Sequence, residues 1–196
     1  MWEKHPMHFL KCLKDAIPPS YFLEFSKYEY QPETNTDQSR EVFLARFSEV
    51  DEEFLNLHTT SLKPEYEFAL QSRIYDSDKN LVGHLPLVDF LVNNISEVME
   101  MSTSSEGQLG KTLWIYKTGR SFHGYFPAIL KENEWLKFMA SLILWNKPTF
   151  GFHITDPRWC AHGIKNGYSA LRWSNNSSRH KSYPELFSIE ELKLLA

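Results

Sequence analysis

The chain has little of what builds disulfide-stapled, zinc-bound or membrane-embedded folds. Cysteine occurs twice in 196 residues, as Cys12 and Cys160, and neither belongs to a CxxC pair. This usage argues against a disulfide framework and against a zinc knuckle. The sequence lacks a run of about 18 apolar residues, and its N-terminus lacks a basic segment followed by an apolar stretch. We therefore expect a soluble, cytoplasmic protein that does not associate with membranes.

The sequence also lacks internal repeats and the composition of a fibrous or disordered chain. Hydrophobic residues make up 42% of it and aromatic residues 15%, as is usual for globular proteins. A chain of 196 residues can bury a substantial core. These properties predict one domain, with at most a small extension.

Charge is distributed unevenly between the two halves of the chain. Residues 1–100 carry 9 Lys and Arg against 18 Asp and Glu, whereas residues 101–196 carry 12 against 7. A basic second half is compatible with a surface that faces phosphate groups, and an acidic first half with a face for a protein partner. An ordinary mixed surface is the alternative interpretation.

Hydrophobic periodicity and turn signals predict an order of elements typical of an α/β or α+β fold. Pro86 interrupts the apolar run 81–92 and confines it to an edge strand, a bulge or two shorter pieces. Apolar side chains at helical spacing over residues 134–145 should face the core, namely Trp135, Phe138, Met139, Leu142 and Trp145. The other predicted strands are 21–30, 42–48, two segments within 113–126, 150–154 and 168–173. Residues 65–75 fit a strand or a helix, and residues 51–57 fit a short acidic helix or a turn. The other predicted helices are 8–17, 158–165 and 188–195, and polar loops cover 31–40, 102–110 and 174–182.

Residues 118–125, Thr-Gly-Arg-Ser-Phe-His-Gly-Tyr, combine a turn with the start of a strand. Gly119 lets the backbone turn, and Arg120, Ser121 and His123 bring three side chains suited to phosphate within four residues. Because side chains alternate along a strand, Ser121 and His123 should share one face while Phe122 points into the fold. The segment predicts an anion-binding strand edge, and a simple turn before a half-buried strand is the alternative.

Two acidic residues follow or interrupt apolar stretches on either side of this segment. Asp89 lies between Val88 and Phe90, and an unpaired carboxylate buried there would cost several kcal/mol, so we expect a partner, a metal or an opening beside it. Asp156 follows Ile154 and Thr155 and precedes Pro157. An Asp at that place is typical of a helix N-cap, a role compatible with a functional one.

Taken in order, these three segments resemble the motifs of the archaeo-eukaryotic primase (primase-polymerase) superfamily. That family has an apolar strand ending in Asp-x-Asp, then a strand with Ser-x-His, then an apolar residue followed by an acid. Here the corresponding segments are Leu85 to Val92, Ser121 to His123, and Ile154 to Asp156. The resemblance spans about residues 81–175. It includes Arg172, whose segment 170–174 looks like the basic strand that follows the third motif in some members.

The resemblance implies an α+β, primase-polymerase-like fold, in which an RRM-like sheet is packed with helices. It implies an N-terminal α/β extension over residues 1–75 and a primase-like core over residues 76–196, forming one compact unit. It also implies the site residues. The catalytic residues would be Asp89, His123 and Asp156, the metal ligands Asp89 and Asp156, and the nucleotide- or phosphate-binding residues Lys117, Arg120, Ser121, His123, Arg158 and Arg172.

The first motif departs from the family pattern at one position. Active members hold two Mg²⁺ or Mn²⁺ ions with both acids of the first motif and the acid of the third. The position two residues after Asp89 is Leu91, which cannot bind a metal ion. The turn residues Asp76 and Asp78 have the right spacing, but no apolar strand leads into them. We therefore expect weak metal binding or none.

The sequence leaves three functional interpretations. The favoured one is a catalytically impaired domain that binds a nucleotide or single-stranded nucleic acid, in a prokaryotic conflict or defence system, with a protein partner on its acidic half. The second is an active, metal-dependent primase or polymerase. The third is a protein-interaction module without a nucleic-acid role.

Overall fold

The computed structural model describes residues 2–29, 31, 34, 39–103, 109, 113–147, 149 and 151–187. Within these ranges the chain forms an α+β fold, as predicted, with two antiparallel sheets. The strands are β1 (Phe22–Glu29), β2 (Glu41–Arg46), β3 (Tyr66–Tyr75), β4 (Leu81–His84), β5 (Leu87–Phe90), β6 (Trp114–Lys117), β7 (Phe122–Tyr125), β8 (Ala170–Arg172) and β9 (Glu185–Leu186). The helices are α1 (Glu52–Thr60), α2 (Ile95–Thr103), α3 (Glu132–Leu144) and α4 (Pro157–Asn166), with 3₁₀ turns at Pro6–Leu13 and Phe47–Glu49.

The first sheet is built around the long strand β3. Its order is β2-β1-β3-β4, and β8 pairs with β3 on the same side as β4. Every pairing in it is antiparallel. The sheet therefore contains strands from both sides of residue 75, the predicted boundary between extension and core.

The second sheet carries the segments that the sequence singled out. Its order is β5-β7-β6-β9. The chain passes into it from the first sheet at Leu85 and Pro86, whose backbones bond to Ser72 and Phe126 respectively. Pro86 thus divides the apolar run into two strands, one of the predicted outcomes, because a proline cannot donate to a sheet ladder. As a result Asp89 lies on β5, directly beside β7.

Helix α3 covers the second sheet with its apolar stripe. Trp135, Phe138, Met139, Leu142 and Trp145 are all buried, which confirms the predicted core face. Burial of large apolar side chains of this kind contributes about 1.5–3 kcal/mol each. Within the described ranges, no helix has the length and the apolar character needed to cross a bilayer.

Helix α4 begins and ends as its sequence signals predict. Asp156 is its N-cap and Pro157 its first residue. Its C-terminal residue is followed by Gly167, whose φ of 70° lies in the left-handed region that glycine favours. Asp156 therefore lies at the start of α4, where its backbone N–H donates to the carbonyl of Asp89 on β5.

The predicted strand at 150–154 is wrong for the described residues 151–154. This segment is irregular, and a single bridge joins Thr155 to Phe90. The cause is Asn146, whose Oδ1 accepts hydrogen bonds from the backbone N–H groups of Ile154 (2.7 Å) and Thr155 (3.0 Å). A side chain thus satisfies donors that a neighbouring strand would otherwise pair. The predicted helix 188–195 and most of the predicted loops 31–40 and 102–110 lie outside the described residues.

Candidate functional site

A cleft of about 1070 Å³ lies where β5, β7, α4 and β8 approach one another. Seven of the predicted site residues line it, namely Asp89, Arg120, Ser121, His123, Asp156, Arg158 and Arg172. Lys117 does not line this cleft. It is the last residue of the neighbouring strand β6, and its side chain is exposed. The cleft therefore brings together predicted site residues that are up to 83 positions apart in the chain.

Asp89, His123 and Asp156 meet at the floor of the cleft. Asp89 and His123 are direct partners in the register of β5 and β7, and His123 Nε2 lies 3.8 Å from Asp89 Oδ1. The backbone N–H of Asp156 donates to the carbonyl of Asp89 at 3.0 Å. Sheet pairing thus fixes the first two residues, and a hydrogen bond between backbones fixes the third.

Both titratable side chains on the strands are shifted towards their neutral forms. Burial, and then the charge of Asp156, raise the pKa of Asp89 to about 8, while Arg172 opposes this shift. Burial, and then the charge of Arg172, hold the pKa of His123 well below its usual range. The Asp89 side chain is 26% exposed, so water reaches it from the cleft. Asp89 therefore lies at an opening, which is one of the outcomes expected for it.

Asp89 and Asp156 are the two motif carboxylates in the cleft that could hold a divalent cation. The mutual repulsion that raises the pKa of Asp89 is the kind of repulsion that a cation relieves, and Mg²⁺ and Mn²⁺ prefer oxygen ligands. Among the described residues, no group of three or more His, Cys, Asp or Glu side chains has the arrangement of a metal site. Leu91 also lines the cleft and is 49% exposed, at the position where a second acid of the first motif would lie. Of the three motif acids that the family pattern places together, the described cleft thus contains two, Asp89 and Asp156.

Asp156 has a structural role beside its place in the cleft. Its Oδ1 accepts hydrogen bonds from the backbone N–H groups of Arg158 (2.8 Å) and Trp159 (3.1 Å) at the start of α4. These bonds engage one carboxylate oxygen, so the other oxygen can still meet a cation. The N-cap interpretation is confirmed and is compatible with metal binding.

The turn before β7 is held in a defined shape. Gly119 has a φ of 108°, which side chains larger than hydrogen rarely permit. Thr118 N–H donates to Ser121 O at 2.9 Å, and the two hydroxyl oxygens lie 3.1 Å apart. Arg120 is exposed at the tip of the turn while Phe122 is buried, as predicted from strand alternation. The turn therefore presents a guanidinium and a hydroxyl along one wall of the cleft, beside the His123 imidazole at its floor.

Arg172 lies deeper than the sequence suggested. Its side chain is almost fully buried, and its guanidinium donates to the carbonyls of Ser174, Ser182 (3.2 Å) and Thr118 (3.4 Å). It therefore joins β8 to the turn at Gly119 and to the segment after β8. Phosphate binding by Arg172 stays a prediction.

Arg158 adds a basic side chain to the cleft from the first turn of α4. Its Nη2 donates to the carbonyl of Thr34 at 3.2 Å. Thr34 lines the same cleft, as do Gln31, Ser39 and Arg40.

Sequence reasoning missed several residues that line the cleft. Tyr28, Arg40 and Tyr168 lie along one side, with the Arg40 guanidinium 4.2 Å from the centroid of the Tyr28 ring. Arg179 and Lys181 reach the cleft from the segment after β8. The sequence signal for Arg179 and Lys181 was that both are basic residues within the polar segment 174–182.

A carboxylate-bearing strand beside a Ser-x-His strand, with a further carboxylate at the start of a helix, defines a primase-polymerase-like domain. Over residues 46–185 the sequence matches a family described as archaeo-eukaryotic primase 1D-like. This match covers more than half of the chain, and the protein belongs to that family. A comparison with curated proteins found no match. The family membership confirms the resemblance that the three motifs indicated.

Proposed function

We propose that the cleft binds a nucleotide or single-stranded nucleic acid through phosphate groups and holds at most one divalent cation. The observation that carries this proposal is the convergence of Asp89, His123 and Asp156 beside the wall formed by Arg120 and Ser121. A guanidinium binds phosphate oxygens in a bidentate manner, and a hydroxyl adds a further donor. An anion in this cleft would thus have charged and neutral partners on one wall.

We infer that turnover is impaired. Asp89 and Asp156 would hold Mg²⁺ or Mn²⁺, which when bound supplies charge neutralisation for phosphate oxygens. In two-metal phosphoryl transfer, separate ions stabilise the attacking and the leaving oxygen. With Leu91 at the position of the second acid, Asp89 and Asp156 are the two motif acids that line the cleft within the described ranges, fewer than the family pattern uses for that pair of ions. The cleft is accordingly better suited to binding a phosphate-bearing ligand than to extending one.

Binding can be tested by fluorescence anisotropy with a labelled single-stranded oligonucleotide and a labelled nucleoside triphosphate. We expect salt-sensitive affinity, because phosphate contacts release counterions. Arg120→Ala should weaken binding and lower the slope of log K against log salt by about 1. Arg46→Ala is the matched control, since Arg46 is exposed and lies outside the cleft. His123→Ala should also weaken binding.

The alternatives correspond to other results of the same measurements. If labelled nucleotides, Mn²⁺ and a single-stranded template gave an extended product, and Asp89→Ala removed it, the protein would be an active nucleotidyltransferase. If the wild-type protein bound neither probe, the binding proposal would be wrong. A protein-interaction role would then be favoured, provided that Arg120→Ala and His123→Ala left a measured protein complex intact.

A further inference from the structure

The segment that follows β8 is fixed to strand β3 by a buried carboxylate. Glu67 is fully buried on β3, and its Oε1 accepts hydrogen bonds from Ser177 N–H (2.9 Å) and the Ser177 hydroxyl (2.6 Å). Its Oε2 accepts from the Ser174 hydroxyl and from Asn176 N–H (3.2 Å). One carboxylate thus binds three residues of a four-residue stretch.

The electrostatic setting of Glu67 favours its charged form. Burial alone would raise the pKa of Glu67, but hydrogen bonds from Ser174 and Ser177 and the charge of Arg172 outweigh it and lower the pKa. A buried carboxylate held in this way is rigid, because each of its oxygens already accepts two hydrogen bonds.

Further bonds fix the same segment at other points. The Asn176 side-chain amide donates to the carbonyls of Lys63 (2.8 Å) and Tyr66 (2.9 Å). Ser178 donates to the Glu65 carboxylate from both its N–H (3.2 Å) and its hydroxyl (3.0 Å). At the far end, Ser182 O accepts from Arg172 Nη1 at 3.2 Å. Residues 174–178 and Ser182 are therefore anchored on either side of residues 179–181.

The residues between these anchors line the cleft. Arg179 and Lys181 are exposed there and carry positive charge at neutral pH. Burial, and then the charge of Arg172, lower the pKa of His180 between them, so it contributes a neutral imidazole. The Arg172 guanidinium bonds both to Ser182 and to Thr118, so it joins the two basic walls of the cleft, residues 179–181 and the turn at Gly119. The cleft volume, about 1070 Å³, exceeds the range usual for small-molecule sites.

We propose that Arg179 and Lys181 form a second phosphate-binding subsite, separate from the turn at Gly119, and that Glu67 is the positioning residue that holds it in place. The ligand of the complete cleft is then the phosphodiester backbone of a single strand, since a chain of phosphates can meet both walls. This inference rests on the proposed function of the cleft.

The first test removes the charges of the subsite. In the full-length Arg179→Ala/Lys181→Ala variant, we expect weaker binding of a single-stranded oligonucleotide, with a slope of log K against log salt lower by about 2. Affinity for a nucleoside triphosphate should change much less, because that ligand needs one wall. An unchanged oligonucleotide slope, or an equal loss for both probes, would overturn the second subsite.

The second test separates positioning from simple charge. Glu67→Gln keeps the shape of the side chain but removes a negative charge near a phosphate site, which by electrostatics alone would strengthen oligonucleotide binding. If Glu67 positions residues 179–181, the substitution should instead weaken oligonucleotide binding several-fold and lower the slope of log K against log salt. Glu41→Gln is the control, since it removes the same charge from an exposed site outside the cleft. Stronger binding by Glu67→Gln would overturn the positioning role.

Two further comparisons keep the outcomes distinct. Thermal unfolding reports whether Glu67→Gln is folded, and if it is not, the double variant decides the proposal by itself. Absence of binding in the wild type would overturn the proposed function together with this inference. Wild-type binding that Arg120→Ala weakens and the double variant leaves intact would overturn the second subsite alone.

Discussion

At the scale of single residues, position 91 carries a leucine where the family pattern has the second acid of its first motif. Leu91 lies two residues after Asp89, directly after the end of β5, and is half exposed in the cleft. An acid at that position would add the missing carboxylate without disturbing a core contact. The exposed leucine is therefore a place where one substitution can change the chemistry of the cleft.

We predict that Leu91→Asp raises the affinity of the protein for Mn²⁺ roughly tenfold, because each added carboxylate strengthens an oxygen-ligand site. Isothermal titration or the Mn²⁺ electron paramagnetic resonance signal would measure this change. Leu57→Asp is the control, since it adds the same charge at an exposed leucine on α1, outside the cleft. Equal gains in the two variants would show that the effect is general charge and not a rebuilt site.

Residues that act through local geometry were predictable from the sequence, and those that act through distant contacts were not. The two-residue spacing of Ser121 and His123 predicts a shared strand face, and both side chains line the cleft. Arg172 was expected to meet phosphate, yet its donors are engaged by carbonyls that include Thr118 and Ser182. Thr118 lies 54 residues from Arg172 in the chain, and no spacing rule connects the two.

At the scale of elements, the start of α4 combines a helix cap with an acid of the cleft. Two substitutions at Asp156 separate the two roles. Asn preserves the N-cap acceptor and removes the charge, whereas Ala removes both. We predict that Asp156→Ala lowers the free energy of unfolding by about 1 kcal/mol and that Asp156→Asn changes it by a few tenths at most. Both variants should bind Mn²⁺ more weakly than the wild type.

The matched control is Asp51, the N-cap of α1, whose Oδ1 accepts from Phe54 N–H at 2.9 Å. Asp51→Ala should also destabilise the fold, and Asp51→Asn should not. Neither change should alter Mn²⁺ binding, because Asp51 lies outside the cleft. Urea unfolding and Mn²⁺ titration measure the two effects separately. Wild-type Mn²⁺ affinity in Asp156→Asn would exclude Asp156 as a ligand.

Strong periodicity made α3 predictable, and side-chain competition made the segment after it unpredictable. The apolar stripe from Trp135 to Trp145 repeats at helical spacing over three turns and is buried. Phe152 and Ile154 stand at strand spacing in residues 151–154, but the Asn146 side chain takes up the backbone donors of Ile154 and Thr155. An amide eight residues away thus outweighs a weak local preference for strand.

At the scale of the whole molecule, buried groups determine how stability depends on pH. Burial lowers the pKa of five histidines, with His5 at about 3 and His84 at about 4; the others are His58, His123 and His180. The unfolded chain takes up protons at these sites below about pH 6.5, so they weaken the native state as the pH falls. Asp89 acts oppositely, because its raised pKa of about 8 lets the native state hold a proton that the unfolded chain releases.

We therefore predict that the free energy of unfolding is highest near about pH 6.5 and declines towards pH 8, where Asp89 must ionise. Asp89→Asn should abolish the alkaline decline and be more stable than the wild type at about pH 8, by about 1–2 kcal/mol. Urea unfolding across this range, in the presence of a chelator, measures both curves. Asp15→Asn, at an exposed site, should leave the wild-type curve unchanged. Parallel curves for wild type and Asp89→Asn would contradict the shifted titration.

The hydrogen bonds of Arg172 have a consequence for the energetics of binding. They tie the turn at Gly119 and the segment from Ser174 to Ser182 to one guanidinium before any ligand arrives. The conformational entropy of these two stretches is thus lost when the chain folds, not when the cleft is filled. A ligand therefore meets preorganised walls, and more of its contact energy is expressed as affinity.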